Sequence, residues 1–169
     1  MGTGGLLLRK LRARVADKPT GFVWVEEGKV AGSGYPASRA QVEWLVRAGI
    51  RSILSLTSEP LPREWTDGLG LTQGHVPMKD HVAPAPEAME EGVDFVVKQL
   101  AEDRPVVVHC LAGEGRTGCV LSAYLIATQR IEAKEALVKL RAVKPEFVEP
   151  QQEKAVNEFA LKRVQRLQS

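Results

Sequence analysis

Apolar and polar residues along the chain follow two spacings, and each spacing predicts one type of element. A short alternating or continuous apolar run bounded by turn residues predicts a strand, whereas apolar positions three and four residues apart predict a helix. The segments with the first pattern are 22–25, 29–31, 50–56, 71–76 and 105–109. The segments with the second pattern are 38–48, 87–102, 117–129, 132–143 and 151–167.

The order of these segments predicts the class of fold. The first two strand segments are separated only by Glu-Glu-Gly and predict a hairpin, and strands and helices alternate after it. The run 105–109 is apolar up to its last residue, as expected of a strand that is buried on both faces of a parallel sheet. We therefore predict an α/β fold with a mostly parallel central sheet flanked by helices, whose ligands bind at the carboxyl ends of the strands.

Length and composition fit a single catalytic domain. The chain has 169 residues, of which 44% are hydrophobic and 26% charged, and we assign residues 21–169 to the domain and residues 1–20 to an N-terminal helical extension. The net charge of +2 is too small to indicate nucleic-acid binding, and no stretch is long enough to span a membrane. In the extension the apolar residues precede the basic ones, the reverse of a signal peptide. With two cysteines the chain fits a reducing compartment, so we expect a cytoplasmic monomer without nucleic-acid or membrane partners.

The run Val-Val-Val-His-Cys-Leu-Ala-Gly-Glu-Gly-Arg-Thr-Gly at 106–118 carries the candidate chemistry. A strand, a Gly-bearing loop and a helix N-terminus in this order present free N–H groups to an anion. We expect Arg116 and the backbone of the loop to bind phosphate; the loop residues are Leu111, Ala112, Gly113, Glu114 and Gly115. Cys110 at the floor of this loop becomes a candidate nucleophile, because the same field stabilises its thiolate, to which the Thr117 hydroxyl can donate.

A phosphate ester also needs a proton for its leaving oxygen. Asp80 is the candidate acid, because it lies thirty residues before Cys110 in a proline-framed loop that follows a strand; Asp67 and Glu87 are alternatives. The neighbouring His81 is expected to be an exposed loop histidine, with tuning of Asp80 as the alternative. His109 is expected to hold loop carbonyls as structural support. Cys119 lies inside a predicted helix and is expected to be a core residue. No cofactor or metal is expected, since no cluster has ligand spacing.

The run His-Cys-Leu-Ala-Gly-Glu-Gly-Arg-Thr resembles the signature of the cysteine-dependent protein tyrosine phosphatase superfamily: His-Cys, five residues, Arg, then Ser or Thr. Val-Pro-Met-Lys-Asp-His at 76–81 is similar to the acid loop of small dual-specificity phosphatases, and 152–156 to the start of their last helix. The resemblance covers residues 21 to 165 and is closest to compact atypical dual-specificity phosphatases and archaeal protein tyrosine phosphatases.

This resemblance implies a two-step hydrolysis through a cysteinyl-phosphate, with Gln152 positioning the water. It implies a phosphoprotein phosphatase for phosphotyrosine. Without a Lys-Asn-Arg-Tyr-like segment to deepen the pocket, phosphoserine and phosphothreonine are expected substrates too. The alternatives are a phosphatase of RNA 5′-phosphates or inositol lipids, a phospho-binding module without turnover, and a sulfur-transfer enzyme. Glu114 departs from the lysine-bearing loops of lipid phosphatases and is expected to disfavour multiply phosphorylated headgroups.

Overall fold

The structure is a computed structural model that describes residues 17–169. The helical extension predicted for residues 1–20 falls almost entirely on residues 1–16, which lie outside the described residues. The remainder of the chain folds around one sheet.

The described part of the chain contains five strands, six α-helices and one short 3₁₀ turn. The strands are β1 (Val23–Glu26), β2 (Val30–Ser33), β3 (Ser52–Ser55), β4 (Thr72–His75) and β5 (Val106–His109). The helices are α1 (Arg39–Arg47), α2 (Arg63–Thr66), α3 (Pro86–Ala101), α4 (Gly115–Gln129), α5 (Ala133–Val143) and α6 (Glu153–Gln168), with the 3₁₀ turn Pro150–Gln152 directly before α6.

The sheet has the strand order β1-β2-β5-β3-β4. Only β1 and β2 pair antiparallel, as the predicted hairpin, and the other three pairings are parallel. The apolar strand β5 lies at the centre, where Val108 is opposite Gly32 on one side and Leu54 on the other. The prediction of a mostly parallel α/β sheet is therefore confirmed, and the strand that leads to the candidate site is the central one.

Both faces of the sheet are covered by helices. Alternate residues of β5 point to opposite faces, so Val106 and Val108 pack with α3, α4, α5 and α6, whereas Val107 packs with α1 and the α2 region. The aromatic side chains Phe147 and Phe159 are fully buried in the larger of these two cores. Burial on both faces explains why β5 contains three consecutive valines.

Helix α4 lies within the larger core and positions the site. Every residue from Gly115 to Ile126 is buried, so the helix is covered on all sides. A helix at the surface of a domain would bury only one apolar face. The helix begins at Gly115, two residues before the predicted start at Thr117. No side chain within residues 17–169 caps this end of the helix. The Glu114 carbonyl accepts the first hydrogen bond of the helix from Gly118 N. It also accepts from Val148 N, which is distant in sequence. The first turn of α4 therefore includes Arg116.

The adjacent residues Val96 and Val97 on α3 provide a matched test of this packing. Val96 is 0% exposed and Val97 is 43% exposed. We expect Val96→Ala to lower the free energy of unfolding by about 2–3 kcal/mol, because it removes two buried carbon groups and leaves a cavity. Val97→Ala is expected to change it by less than about 0.5 kcal/mol. Urea unfolding followed by circular dichroism measures both, and equal effects would contradict the assigned core.

Candidate active site

Cys110 lies immediately after the central strand, at the carboxyl edge of the parallel part of the sheet. Its residue surface is only 2% exposed. The loop that follows runs from Leu111 to Glu114 and leads into the N-terminus of α4, so the thiol lies between the end of a strand and the start of a helix. This edge is where parallel α/β sheets bind ligands.

The carbonyl oxygens of the loop are bonded to groups outside it. The Cys110, Leu111, Gly113 and Glu114 oxygens accept, in order, from His109 Nδ1, Tyr35 N, Lys144 Nζ, and the two amides Gly118 N and Val148 N. The Lys144 contact is 2.9 Å long and comes from the carboxyl end of α5. Four neighbouring elements thus fix the direction of the loop's peptide groups.

The N–H groups of residues 111–116 are left without an acceptor among the described residues. Successive free N–H groups at a helix N-terminus form an anion-binding concavity. Gly113 makes this curvature possible: its φ is 73°, and a Cβ there would lie 2.4 Å from the carbonyl oxygen of Ser33. The residues predicted to bind phosphate, 111–116, therefore lie in one curved segment that directly follows Cys110.

Arg116 extends from the first turn of α4 beneath the acid loop and is only 4% exposed. Its Nη1 donates to the Met78 carbonyl at 3.1 Å and, more weakly, to the Leu56 carbonyl at 3.5 Å. Its Nη2 lies 3.0 Å from Asp80 Oδ1. Its Nε, also buried, has no hydrogen-bond partner in residues 17–169. The guanidinium is held in place with one donor free.

Asp80, predicted to be the acid, belongs to the loop between β4 and α3, and its carboxylate contacts Arg116. The side chain is 43% exposed, so it reaches both the buried guanidinium and solvent. The alternative acids lie elsewhere. Asp67 caps the end of α2, where its carbonyl accepts from Arg39, and Glu87 pairs with Lys162 on α6. Among residues 17–169, Asp80 is thus the one of the three candidates whose carboxylate contacts Arg116.

His109 is fully buried under the loop, and its environment assigns its tautomer. Nδ1 lies 3.1 Å from the Cys110 carbonyl and Nε2 lies 2.7 Å from Ser55 Oγ. A carbonyl only accepts, so Nδ1 carries the hydrogen and Nε2 accepts from the Ser55 hydroxyl. Burial lowers the pKa of His109 to about 4, so the ring is neutral near pH 7. The predicted contact with a loop carbonyl is present, and Ser55 is a partner that the sequence did not suggest.

The remaining predicted residues are close to the loop but differ in exposure. Thr117 is fully buried, and its hydroxyl has no hydrogen-bond partner in the described chain, Cys110 included. Leu111 and Ala112 are exposed at the mouth, and Glu114 is partly buried. Cys119 is buried in α4, where desolvation raises the pKa of its thiol to about 12. That environment fits an unreactive core cysteine, as predicted from the sequence.

Gln152 is fully buried rather than exposed at a helix start. Its Oε1 accepts from the Glu149 amide at 3.2 Å, and its Nε2 donates to the Val82 carbonyl at 3.3 Å. A Cβ on Gly115 would lie 2.5 Å from the same Oε1, so the amide packs directly against the phosphate loop. Gln152 thus connects the acid loop, the 3₁₀ turn and the first turn of α4.

Sequence reasoning missed the residues that hold the loop from a distance, among them Tyr35, Ser55, Lys144 and Glu149. Tyr35 acts through its backbone N–H and Lys144 through its terminal amine. Neither contact produces a recognisable sequence pattern. No group of three or more His, Cys, Asp or Glu in residues 17–169 is placed to hold a metal ion. None of the helices described is long and apolar enough to cross a membrane.

Comparison with known proteins places these features in a family. A family model described as "PTP-SAK: Swiss Army Knife protein, DSP-PTPase phosphatase domain" matches residues 19–169. Dual specificity protein phosphatase 12 of Rattus norvegicus is 31% identical over 118 residues, covering 67% of this chain and 34% of the rat protein. Phosphatidylglycerophosphate phosphatase PTPMT2 of Arabidopsis thaliana is 28% identical over 128 residues, covering 72% of this chain and 56% of the plant protein. The chain thus spans about a third of the first protein's length and little more than half of the second's.

Solved structures show the same fold. The crystal structure of Tk-PTP in its active form superposes with a TM-score of 0.76 at 26% identity, over 83% of this chain and 97% of that one. The sheet and its helices are therefore those of a protein tyrosine phosphatase domain.

The neutral state of His109 predicts a pH dependence of stability. An unfolded histidine binds a proton below about pH 6.5, whereas the folded ring stays neutral down to about pH 4. The unfolded state therefore binds more protons in this window, and the free energy of unfolding falls as pH drops through it, by about 2 kcal/mol between pH 7 and 5. Urea unfolding at the two pH values measures this loss.

The matched comparison is His109→Gln, in which the loss is expected to shrink by that amount. His81 has a pKa shifted in the opposite direction. It is replaced by Gln in both proteins so that it cannot mask the effect. An unchanged pH dependence in His109→Gln would contradict a neutral buried imidazole.

A glycine pair tests the cradle. Gly113 and Gly28 both have positive φ, 73° and 71°, but an added Cβ is crowded only at Gly113. Gly28→Ala is expected to cost only the backbone strain, about 1 kcal/mol, and to keep anion binding. Gly113→Ala is expected to abolish the rise in melting temperature that tungstate or phosphate gives the parent protein. Equal tungstate stabilisation of both variants would show that the loop does not hold the anion.

Proposed function

Since this chain belongs to the dual-specificity branch of the cysteine-dependent protein tyrosine phosphatase superfamily, we propose that it is a phosphoprotein phosphatase. Its proposed substrates are phosphotyrosine and, through an open site, phosphoserine and phosphothreonine. One observation carries the proposal: within the described residues, six backbone N–H groups without acceptors and a guanidinium Nε without a partner lie in the segment that directly follows one buried cysteine. This arrangement binds a tetrahedral dianion and supplies a nucleophile beneath it.

In the first proposed step the Cys110 thiolate attacks phosphorus. The Sγ–P bond forms while the bond from phosphorus to the leaving oxygen breaks. The loop amides and Arg116 stabilise charge on the three equatorial oxygens. Asp80 transfers its proton to the leaving oxygen, so the alcohol or phenol departs neutral.

In the second proposed step water attacks the cysteinyl-phosphate. Asp80, now a carboxylate, accepts a proton from the water; the Sγ–P bond breaks, and the products are orthophosphate and the thiolate. The buried Thr117 hydroxyl, unpartnered in the described chain, is proposed to donate to that thiolate. Gln152 is proposed to orient the water, with its amide held beside the loop.

The Arg116–Asp80 contact gives the cycle an electrostatic starting point. Nη2 of the guanidinium lies 3.0 Å from Asp80 Oδ1. An incoming phosphate dianion competes with Asp80 for Arg116. Substrate binding is therefore proposed to loosen the Arg116–Asp80 contact.

A lipid phosphate ester is a second candidate substrate. PTPMT2, named for phosphatidylglycerophosphate, aligns over more of this chain than the dual-specificity relative does. The half-exposed Asp80 and the exposed Leu111 border an open mouth that does not restrict the site to peptides. Glu114 argues against headgroups that carry several phosphates, because like charges repel.

The nucleophile is tested with the two cysteines as a matched pair. Cys110→Ser is expected to lose para-nitrophenyl phosphate turnover by roughly a thousandfold or more, whereas Cys119→Ser retains it. Acid-quenched wild type incubated with ³²P-labelled substrate should carry acid-stable label, and Cys110→Ser should carry none. Full turnover by Cys110→Ser would exclude the proposed mechanism.

The substrate class is tested on one panel at fixed salt. It comprises phosphotyrosine, phosphoserine and phosphothreonine peptides, phosphatidylglycerophosphate vesicles and 5′-phosphorylated RNA. The proposal predicts the highest kcat/KM for a phosphopeptide. A higher kcat/KM for the vesicles would favour a lipid phosphatase, and a higher kcat/KM for the RNA would favour an RNA 5′-phosphatase. Peptide binding without turnover would indicate a binding module.

A further inference from the structure

His81 joins the acid loop to the segment that precedes α6. Its Nδ1 lies 3.0 Å from Glu149 Oε1 and 3.2 Å from Oε2, across 68 residues of sequence. One residue farther along the loop, the Val82 carbonyl accepts from Gln152. Two neighbouring residues of the acid loop therefore contact the two ends of the Glu149–Gln152 turn.

The other nitrogen of the same ring faces the candidate acid. His81 Nε2 lies 3.6 Å from Asp80 Oδ2, and the His81 backbone N–H donates to Asp80 Oδ1 at 3.0 Å. The φ of His81 is 56°, a left-handed conformation that few non-glycine residues adopt. This turn places the imidazole between two carboxylates.

Those two partners define which protonation state fits. Nδ1 is in hydrogen-bond distance of the Glu149 carboxylate, whereas Nε2 faces Asp80 at 3.6 Å, an ion-pair distance. Only the imidazolium carries the positive charge that pairs with both carboxylates. The hydrogen bond with Glu149 and the charges of Asp80 and Glu149 raise the pKa of His81, against a smaller opposing effect of desolvation and of Arg116 on α4.

Glu149 is itself fixed to the phosphate loop. The preceding amide, Val148 N, donates to the Glu114 carbonyl, and Glu149 N donates to Gln152, which packs against Gly115. The Glu149 carboxylate also caps the 3₁₀ turn. Glu149 is thus the more buried partner, with a side chain 25% exposed, whereas the His81 side chain is 73% exposed and depends on its ion pairs for its position.

We propose that His81 and Glu149 form a latch that holds the acid loop against the phosphate loop and positions Asp80 over Cys110. His81 is thus a positioning residue that acts through Asp80, and this inference rests on the proposed role of Asp80 as general acid. The latch is complete while His81 is protonated and opens as pH rises from about 6.5 through its raised pKa.

The test compares two aryl phosphates that differ in how much their leaving oxygen needs a proton. Phenyl phosphate depends strongly on the general acid, and para-nitrophenyl phosphate depends on it little. His81→Ala and Glu149→Gln are each expected to lower kcat for phenyl phosphate about tenfold or more and kcat for para-nitrophenyl phosphate less than about threefold. Gln at 149 keeps an acceptor for the 3₁₀ turn. The double variant should be no worse than the more impaired single variant, since one contact is lost in all three.

Two controls separate the possible failures. His75 is another exposed histidine, and the one hydrogen bond of its ring within residues 17–169 is with the Thr57 carbonyl, so His75→Ala should leave both rates unchanged. Asp80→Asn should show the full difference between the two substrates. If Asp80→Asn shows no such difference, the proposed role of Asp80 fails. If it does while His81→Ala and Glu149→Gln match His75→Ala, only the latch is overturned.

Histidine NMR titration supplies a readout that a general loss of structure would not reproduce. In wild type the pKa of the His81 ring is expected to lie above its ordinary value. In Glu149→Gln this pKa is expected to fall toward the ordinary value, while the variant stays folded and still binds phosphate. His81→Arg, which keeps a cation beside Glu149 at all pH values, should recover phenyl phosphate turnover above pH 7 relative to His81→Ala. An unchanged His81 titration in Glu149→Gln, or no recovery by His81→Arg, would contradict the latch.

Discussion

The site depends on one constraint: the carbonyl oxygens of a tight loop need partners outside it if its N–H groups are to face an anion. Each peptide group points its oxygen and its hydrogen in opposite directions, so fixing one fixes the other. His109, Tyr35, Lys144 and Val148 supply donors from four different parts of the chain. Without these donors the peptide groups of the loop would have no fixed direction, and their N–H groups would not all face the space above the buried thiol.

That constraint explains features that would otherwise look unrelated. Gly113 lacks a side chain because the backbone of Ser33 already occupies the space its Cβ would take. His109 is neutral because it is buried, and a neutral ring can donate to Cys110 from one nitrogen while accepting from Ser55 with the other. A positively charged ring would donate from Nε2 as well. The Ser55 hydroxyl could then accept that bond only by turning its own hydrogen away. The fold therefore sets the tautomer of His109, and that tautomer in turn fixes the loop that forms the candidate anion site.

Charge connects this rigid loop to the more exposed acid loop. Arg116 is buried and donates to the Met78 carbonyl, so the acid loop lies against the guanidinium that is proposed to bind the anion. Asp80 reaches the same guanidinium, and His81 extends the chain of alternating charges to Glu149. Binding an anion in the cradle therefore changes the charge that Asp80 experiences, which couples recognition of the phosphate to the chemistry proposed for it.

By itself the sequence determined the order of strands and helices, the central apolar strand, and the thiol and arginine of one short loop, since these follow from hydrophobic spacing and from residue types adjacent in the chain. It placed the start of α4 two residues late, because that end is fixed by the Glu114 carbonyl meeting Val148 and not by a capping side chain. It also left Asp80, Asp67 and Glu87 open as candidate acids. Only the tertiary structure brought Asp80 to Arg116, buried Gln152 and brought His81 to Glu149, because each of these depends on groups far apart in sequence whose distance is decided by how the helices pack on the sheet.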